Sequence, residues 1–117
     1  INSTVLLDNT YKLKSNSNIY FAGQITGVEG YVESISSGFM VGVNVANRML
    51  GIEEIEMPIE TVIGALANYV STENNKFQPM NANFGILPQL EEKIKDKKLK
   101  YSKLAEISLE KIKKIKM

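Results

Sequence analysis

The feature that most limits how this chain can fold lies in residues 18–42, NIYFAGQITGVEGYVESISSGFMVG. A short apolar run at 19–22 breaks at Gly23, crosses a polar turn with further glycines at 27 and 30, and passes into a helical pattern. This reads as a strand, a tight glycine turn and a helix start. The run is apolar on both faces, as a central strand covered by helices requires, and it needs neighbouring strands that the rest of the chain hardly offers. In this geometry the unpaired N–H groups of the helix start and the positive end of its dipole face a common crevice, which favours an anionic ligand group. Gln24 and Thr26 place uncharged hydrogen-bonding groups at the carboxyl end of the strand, where open α/β sheets bind ligands. Gly27 and Gly30 let backbone approach a ligand closely. A cofactor site is the expectation.

The helix that follows, from about residue 30 to 50, carries apolar residues at Val32, Ile35, Phe39, Val43, Ala46 and Leu50, spaced by three and four. That spacing predicts a buried stripe. Ser34, Ser37, Gly38 and Gly42 keep one side slim, and since a glycine inside a helix costs roughly 1 kcal/mol relative to alanine, close packing against a sheet or a cofactor is expected in compensation. Gly51 supplies a stop. Glu29 and Glu33 stand four apart beside the turn and could perturb each other's ionisation as an acid-base pair. They are equally what a helix dipole favours near its first turn, and neither enters the catalytic set.

Composition sets the outer limits. The 117 residues fit one domain, but Ile1 is not an initiator Met, and the chain is expected to be cut from something longer. With 44% hydrophobic and 23% charged residues, a folded core is expected over most of the length. The absence of Cys and His removes disulfides, thiol nucleophiles, most zinc sites and the usual proton carrier near neutral pH, so no metal site is predicted. No apolar run approaches the roughly 18 residues of a membrane span, and a soluble, cytoplasmic protein is expected. The net charge of +1 conceals a division: residues 1–90 hold four basic side chains against eight acidic ones, whereas residues 91–117 hold ten lysines against five acids. Such a basic end is either a solvated helix face with i, i+4 pairing or a patch that meets phosphate backbones.

Elsewhere, residues 1–17 read as an extended segment, with Tyr11 and Leu13 alternating with Lys12 and Lys14 in a hairpin or meander edge. Pro58 is expected to start a second helix running to about Val70, with Ile59, Val62, Ile63, Leu66, Tyr69 and Val70 inward. The loop at 71–88 carries Phe77, Met80 and Phe84 between Gln78, Asn81 and Asn83. Apolar side chains in a loop imply docking into the body or a binding surface, and amides beside aromatics suit either an unpaired base or the loop's own backbone. A short helix from Pro88 to about Asp96 is expected, then another from about Lys98 to Lys116. The latter would bury Tyr101, Leu104, Ala105, Ser108, Leu109, Ile112 and Ile115 and leave its lysines outside.

Two runs, YFAGQITGVEGYVES at 20–34 and FQPMNANFG at 77–85, closely resemble the C-terminal part of the bacterial folate- and FAD-dependent tRNA (uracil-5-)-methyltransferases. This is the TrmFO family, related to the GidA-type flavoproteins that modify wobble uridines. The likeness extends from INS at 1–3 to the lysine-rich end. It implies an α/β fold: the C-terminal fragment of a Rossmann-like, glutathione-reductase-type FAD domain, mainly helical in this chain with a few short strands. Residues 1–51 would complete the FAD-binding domain and residues 52–117 form a helical region with the loop 71–88 and the basic end.

The resemblance further implies FAD as cofactor, methylenetetrahydrofolate and NAD(P)H as cosubstrates, and 5-methyluridine formation in the T-loop of tRNA. Gly23 and Gln24 would sit beside the flavin ribityl and pyrophosphate, while Thr26, Gly27, Val28, Gly30 and Tyr31 line the isoalloxazine. The helix start would face the edge where reduced flavin gathers negative charge. The implied partners are tRNA and the missing N-terminal part of the same protein, and an exposed sheet edge would in addition allow self-association. The family's GxGxxG turn and its catalytic cysteines are absent here, so no catalytic residue is assigned, and the chain alone is expected to bind FAD poorly and catalyse nothing. The alternative is an autonomous basic helical module that binds RNA or protein without redox chemistry. A closed compact core would favour that module, and a glutathione-reductase-like strand and turn at residues 19–31, exposed for want of partner strands, would favour the fragment.

Overall fold

In the computed structural model, which describes residues 1–90 and 95–115, the rest of the chain is arranged around one short apolar helix. Among the described residues four α-helices follow one another: α1, Ser3–Leu6; α2, Tyr31–Met49; α3, Val62–Ser71; and α4, Lys97–Lys113. Two 3-10 turns, Gln24–Thr26 and Phe84–Ile86, lie in the connections. α3 is the centre. Its sequence VIGALANYVS buries Ala65, Leu66, Ala67 and Val70, and α1, α2 and the second 3-10 turn all pack on it. Leu66, Ala67 and Val70 join Tyr11, Val28, Met40 and Met57 in the main core, and Ala65 joins Leu87 and Leu104 in a smaller one beneath α4.

α3 begins at Val62, later than Pro58. Thr61 takes the N-cap, its side chain accepting from the Gly64 N–H at 3.0 Å while its hydroxyl donates to Pro58 O at 2.6 Å. The hydroxyl closes the preceding segment into a turn and leaves Ile59 outside, 45% exposed. At the other end of the chain Asp96 caps α4, accepting from Lys98 N and Leu99 N. Residues 88–90 are not helical, and 91–94 of the expected short helix lie outside the described residues. Of the stripe expected on α4, Leu104 is buried whereas Leu109 is mostly exposed, so this helix is held along a narrow line.

The first twenty residues depart further from the sequence pattern. Residues 3–6 coil into α1 instead of extending, with the Thr4 hydroxyl donating to Asn2 Oδ1 and Leu7 N donating to Ser3 O. Ser3 and Thr4 are buried there, so tertiary packing has overridden a local β preference. The expected meander survives as isolated antiparallel bridges, Leu7 with Leu13 and Lys12 with Tyr20. Asp8 makes its turn by accepting from Thr10 N, the Thr10 hydroxyl and Lys12 N, and this holds Tyr11 at a φ of 64°. The Tyr11 ring fills the core, where burial pushes its phenol well above the ordinary range.

Residues 19–22 do not form a central strand. Tyr20 bridges to Lys12 on one side, and among the described residues nothing pairs on the other, so Ile19 remains 40% exposed. Among the described residues there is consequently no sheet, nor the sheet edge expected for self-association. The radius of gyration is 14.7 Å, against about 13 Å for a closed domain of this length. The accessible surface is 7879 Å², whereas a closed monomer of this mass would show roughly 6,400 Å². Large apolar side chains stand exposed along α2, at Val32, Ile35 and Phe39 among others, and also in the first 25 residues and on α4.

Candidate functional site

Three glycines with positive φ carry the chain from the bridge at Tyr20 into α2: Gly23 at 86°, Gly27 at 103° and Gly30 at 110°. Gly23 and Gly30 combine positive φ with ψ of −163° and 163°, a region that side chains with a Cβ scarcely enter. The intervening Gln24–Thr26 turn is fastened from within: Thr26 N donates to Gly23 O, and so does the Thr26 hydroxyl at 2.7 Å. Gly23 N in turn donates to Ser37 Oγ at 2.7 Å, and that hydroxyl donates to Ser34 O at 2.8 Å. Ser37, fully buried on the slim side of α2, therefore latches the first glycine to the helix.

The loop at 71–88 docks onto this turn, which brings the two family-like runs together in space. Met80 N donates to Gly27 O and Glu29 N to Met80 O, both at 2.9 Å, making a parallel bridge between Val28 and Met80. The Phe77 ring lies over Gly27 so closely that a Cβ there would stand 2.5 Å from Cζ. Phe77 also stacks on Tyr69, ring centroids 5.3 Å apart. With its amide nitrogen turned to Glu29, Asn81 reaches the Glu29 carbonyl and carboxylate at 3.3 Å each. Asn83 ties down its own loop, Nδ2 donating to Asn81 O and Oδ1 accepting from Gly85 N. Phe77, Asn81 and Asn83 are thus spent on docking and on the loop's own backbone.

The seven predicted cofactor residues divide into two sets. Thr26, Gly27 and Val28 are buried beneath the docked loop, whereas Gln24, Gly30 and Tyr31 face outward and Gly23 is half-buried with open space beyond its Cα. Gly30 is the N-cap of α2 and, lacking a side chain, caps nothing, so the first N–H groups of a 19-residue helix emerge at this surface. The Glu33 carboxylate folds back to this end, where a Cβ on Gly30 would collide with it, and its other oxygen accepts weakly from Ala82 N at 3.4 Å. A negative group is thus already drawn to the dipole here. Backbone donors, an open glycine and an anion-favouring helix end fit the negative rim of a planar cofactor on one side. Among the described residues, nothing supplies the opposite wall. Beside the site, a groove of about 410 Å³ runs along α3, lined by Tyr69, Thr72, Asn74, Met80 and Ile86.

A second polar cluster had no local signature. Lys12 Nζ lies 2.7 Å from Glu54 Oε2, and the Tyr20 hydroxyl donates to the other oxygen. Burial works to raise the Glu54 carboxyl but is outweighed by hydrogen bonds from Lys12 and Tyr20 and by the charges of Lys12 and Arg48, which together hold it below the usual range. The hydrogen bond to Glu54 raises Lys12, while burial and then the same carboxylate raise Tyr20. Arg48 reaches back to Ser17 O and Asn18 Oδ1. Asn44, fully buried, holds Ile55 by both backbone groups, donating to its carbonyl at 3.0 Å and accepting from its N–H at 2.6 Å. These contacts fix the bridged arm and the segment after α2 to the inner side of the helix. No helix among the described residues is long and apolar enough to cross a membrane.

Comparison with known proteins gives a consistent answer. The family described as Glucose inhibited division protein A matches residues 1–53. The methylenetetrahydrofolate--tRNA-(uracil-5-)-methyltransferase TrmFO of Staphylococcus saprophyticus is 57% identical over 111 residues, which is 93% of this chain and 26% of that protein. The enzyme of the same name from Fusobacterium nucleatum is 57% identical over 97% of this chain and 26% of its own length. That of Staphylococcus aureus strain JH9 is 54% identical over 99% of this chain and 27% of its own. The chain therefore spans about a quarter of the length of the curated relatives it matches.

Proposed function

We propose, on the premise that this chain belongs to the TrmFO family of methylenetetrahydrofolate–tRNA-(uracil-5-)-methyltransferases, that it supplies one wall of that enzyme's flavin site. Residues 1–51 would complete a Rossmann-like FAD domain and residues 52–117 a helical region that supports it. The observation that carries the reading is the delivery of an uncapped helix start to the surface by three positive-φ glycines. Gly23, Gln24, Gly30 and Tyr31 would hold FAD, and Thr26, Gly27 and Val28 would shape the turn from below. When bound, the flavin supplies the electrons that convert a folate-borne one-carbon unit into a methyl group, with NAD(P)H as their source.

What this chain contributes is electrostatic and steric. The N–H groups at the start of α2 would stabilise negative charge at a reduced ring, and Glu33 would swing aside for it. The buried Ser37 hydroxyl holds Gly23 so that the turn is set before the ligand arrives. Phe77 and Met80 fix the outer side of the turn. The nucleophile and proton carriers of the reaction would come from the remainder of the family's polypeptide, as the chain has neither Cys nor His. On its own it would be inactive. Its substrate in the whole enzyme would be a T-loop uridine of a cytoplasmic tRNA, approached along the lysines of α4. The exposed, unclosed side of α2 weighs against an autonomous helical module.

The test is flavin content in a family-length protein containing this segment. Gly23→Ala and Gly30→Ala should each lose bound flavin, read by visible absorbance, and with it methyl transfer to tRNA. Lys76→Ala, in an exposed turn, should keep both. Full flavin retention in both glycine variants would defeat the reading.

A further inference from the structure

We infer that the outward face of α2 is the seat of the other three quarters of the family's polypeptide, packing in cis. The inference rests on the family membership stated above but not on flavin binding. Val32 is 71% exposed, Ile35 69% and Phe39 49%, and Tyr31, Met49 and Leu50 extend the same uncovered surface to both ends of the helix. The side that α2 turns inward is the wrong one for a helix complete in itself: it buries Ser37, Met40 and Asn44, and two of these three are polar and hydrogen-bonded. The two charged side chains of α2, Glu33 and Arg48, are engaged elsewhere, with Ala82 and with residues 17 and 18. The outward face is left without a charge.

The surplus surface of the whole chain, of which the α2 face is one part, is large enough for a permanent interface. The chain exposes about 1,500 Å² more than a closed monomer of its mass, while one side of a standard protein interface takes about 800 Å². Gly38 and Gly42 shape this surface, since an added Cβ at either meets nothing within 4 Å and the chain itself gives no reason for them. A partner backbone could approach there closely. The choice of occupant follows from length. Relatives matching this chain end to end are about four times as long, and a segment of the same polypeptide acts at an effective concentration on the order of millimolar, against which a second copy cannot easily compete.

The experiment is hydroxyl-radical footprinting of a family-length protein and of this chain alone, with oxidation read at Tyr31, Phe39 and Met49. Several-fold protection in the longer protein, independent of its concentration and undiminished when flavin is stripped, is expected. Leu99 and Leu109 on α4 should stay reactive in both. Equal reactivity of the α2 residues would overturn the inference, as would protection that disappears on dilution together with a dimer in sedimentation, which would assign the face to a second copy. The double substitution Ile35→Asp and Phe39→Asp gives a second readout: the longer protein should melt about 10 °C lower, while this chain alone melts unchanged. An unchanged melting temperature in the longer protein also overturns it. Protection without flavin would leave this inference standing even if the cofactor reading fell.

Discussion

α3 and α2 carry similar apolar periodicity and use it in opposite ways. α3 turns Ala65, Leu66, Ala67 and Val70 inward and leaves Asn68 outside, so its amphipathic pattern is satisfied within the chain. α2 turns Ser37, Met40 and Asn44 inward and Val32, Ile35 and Phe39 out. The difference teaches that periodicity identifies the face that seeks cover without saying which polypeptide provides it. Stability measured on this chain should accordingly depend on α3 and be nearly indifferent to the α2 stripe.

The largest effect expected from this contrast is at Leu66, which is fully buried. Leu66→Ala should cost about 3 to 4 kcal/mol in urea unfolding, through lost burial and the cavity left behind. Ile35→Ala, removing more atoms from the exposed stripe of α2 than Leu66→Val would from the core, should change stability by no more than about 0.5 kcal/mol. Comparable losses at the two positions would break the comparison. Next comes Gly64 in the first turn of α3, where an added Cβ would overlap Pro58 O and lie 2.6 Å from Met57 O. Gly64→Ala should cost about 2 to 3 kcal/mol, since backbone rather than a flexible side chain must move. A wild-type midpoint would mean that the turn before α3 is looser than described.

α2 and α3 were legible in the sequence because their period, caps and stops are local, whereas α1 was not, its residues reading as an extended segment: α2 ends within a residue of the expected bounds, and α3 differs mainly at its start. Which face of α2 lies inward was not legible. The spacing of Val32, Ile35 and Phe39 marks a stripe that wants burial, but the inner side is decided by Asn44 reaching Ile55 and Ser37 reaching Gly23, contacts that cross from the helix to other segments. Residues 19–22 misled for a related reason. An apolar run on both faces signals cover on both sides, and here only the arm at 11–13 is present. The glycine turn was found through its three glycines, which sequence displays directly. Its fastening by Phe77 and Met80, fifty residues away, leaves no mark at the turn itself.

A smaller effect, about 1 kcal/mol or less, is expected at the Lys12–Glu54 pair, which secures the inner, completed side of α2. Glu54 has its folded value depressed, so its contribution is present above the ordinary 4.5 and disappears as the pH falls through the lower folded value. Lys12 is raised, so its share is present below 10.5 and disappears as the pH climbs through the higher folded value. Unfolding of the chain across pH should show a plateau between these limits. Glu54→Gln should lower the plateau and flatten its acid side. An acid limb identical to that of the wild type would remove Glu54 from the stabilising contacts.

The smallest change is the one whose sign discriminates most. Gly38→Ala and Gly42→Ala sit in helical backbone with open space around them, so each should stabilise this chain by about 0.5 to 1 kcal/mol through helix propensity alone. In a family-length protein the same methyl groups would project into the surface that α2 is inferred to share, and the gain should vanish or become a loss. Measured side by side in urea, the two proteins should therefore respond differently to one substitution, this chain gaining stability and the longer protein not. α3 offers the control: Ala67→Gly removes a methyl from a core already closed within the chain, and should be destabilising to a similar degree in both lengths. A gain at Gly38 that persists in the longer protein would mean that this side of α2 stays open there too, and the contrast between the two helices would then need a cause other than missing cover.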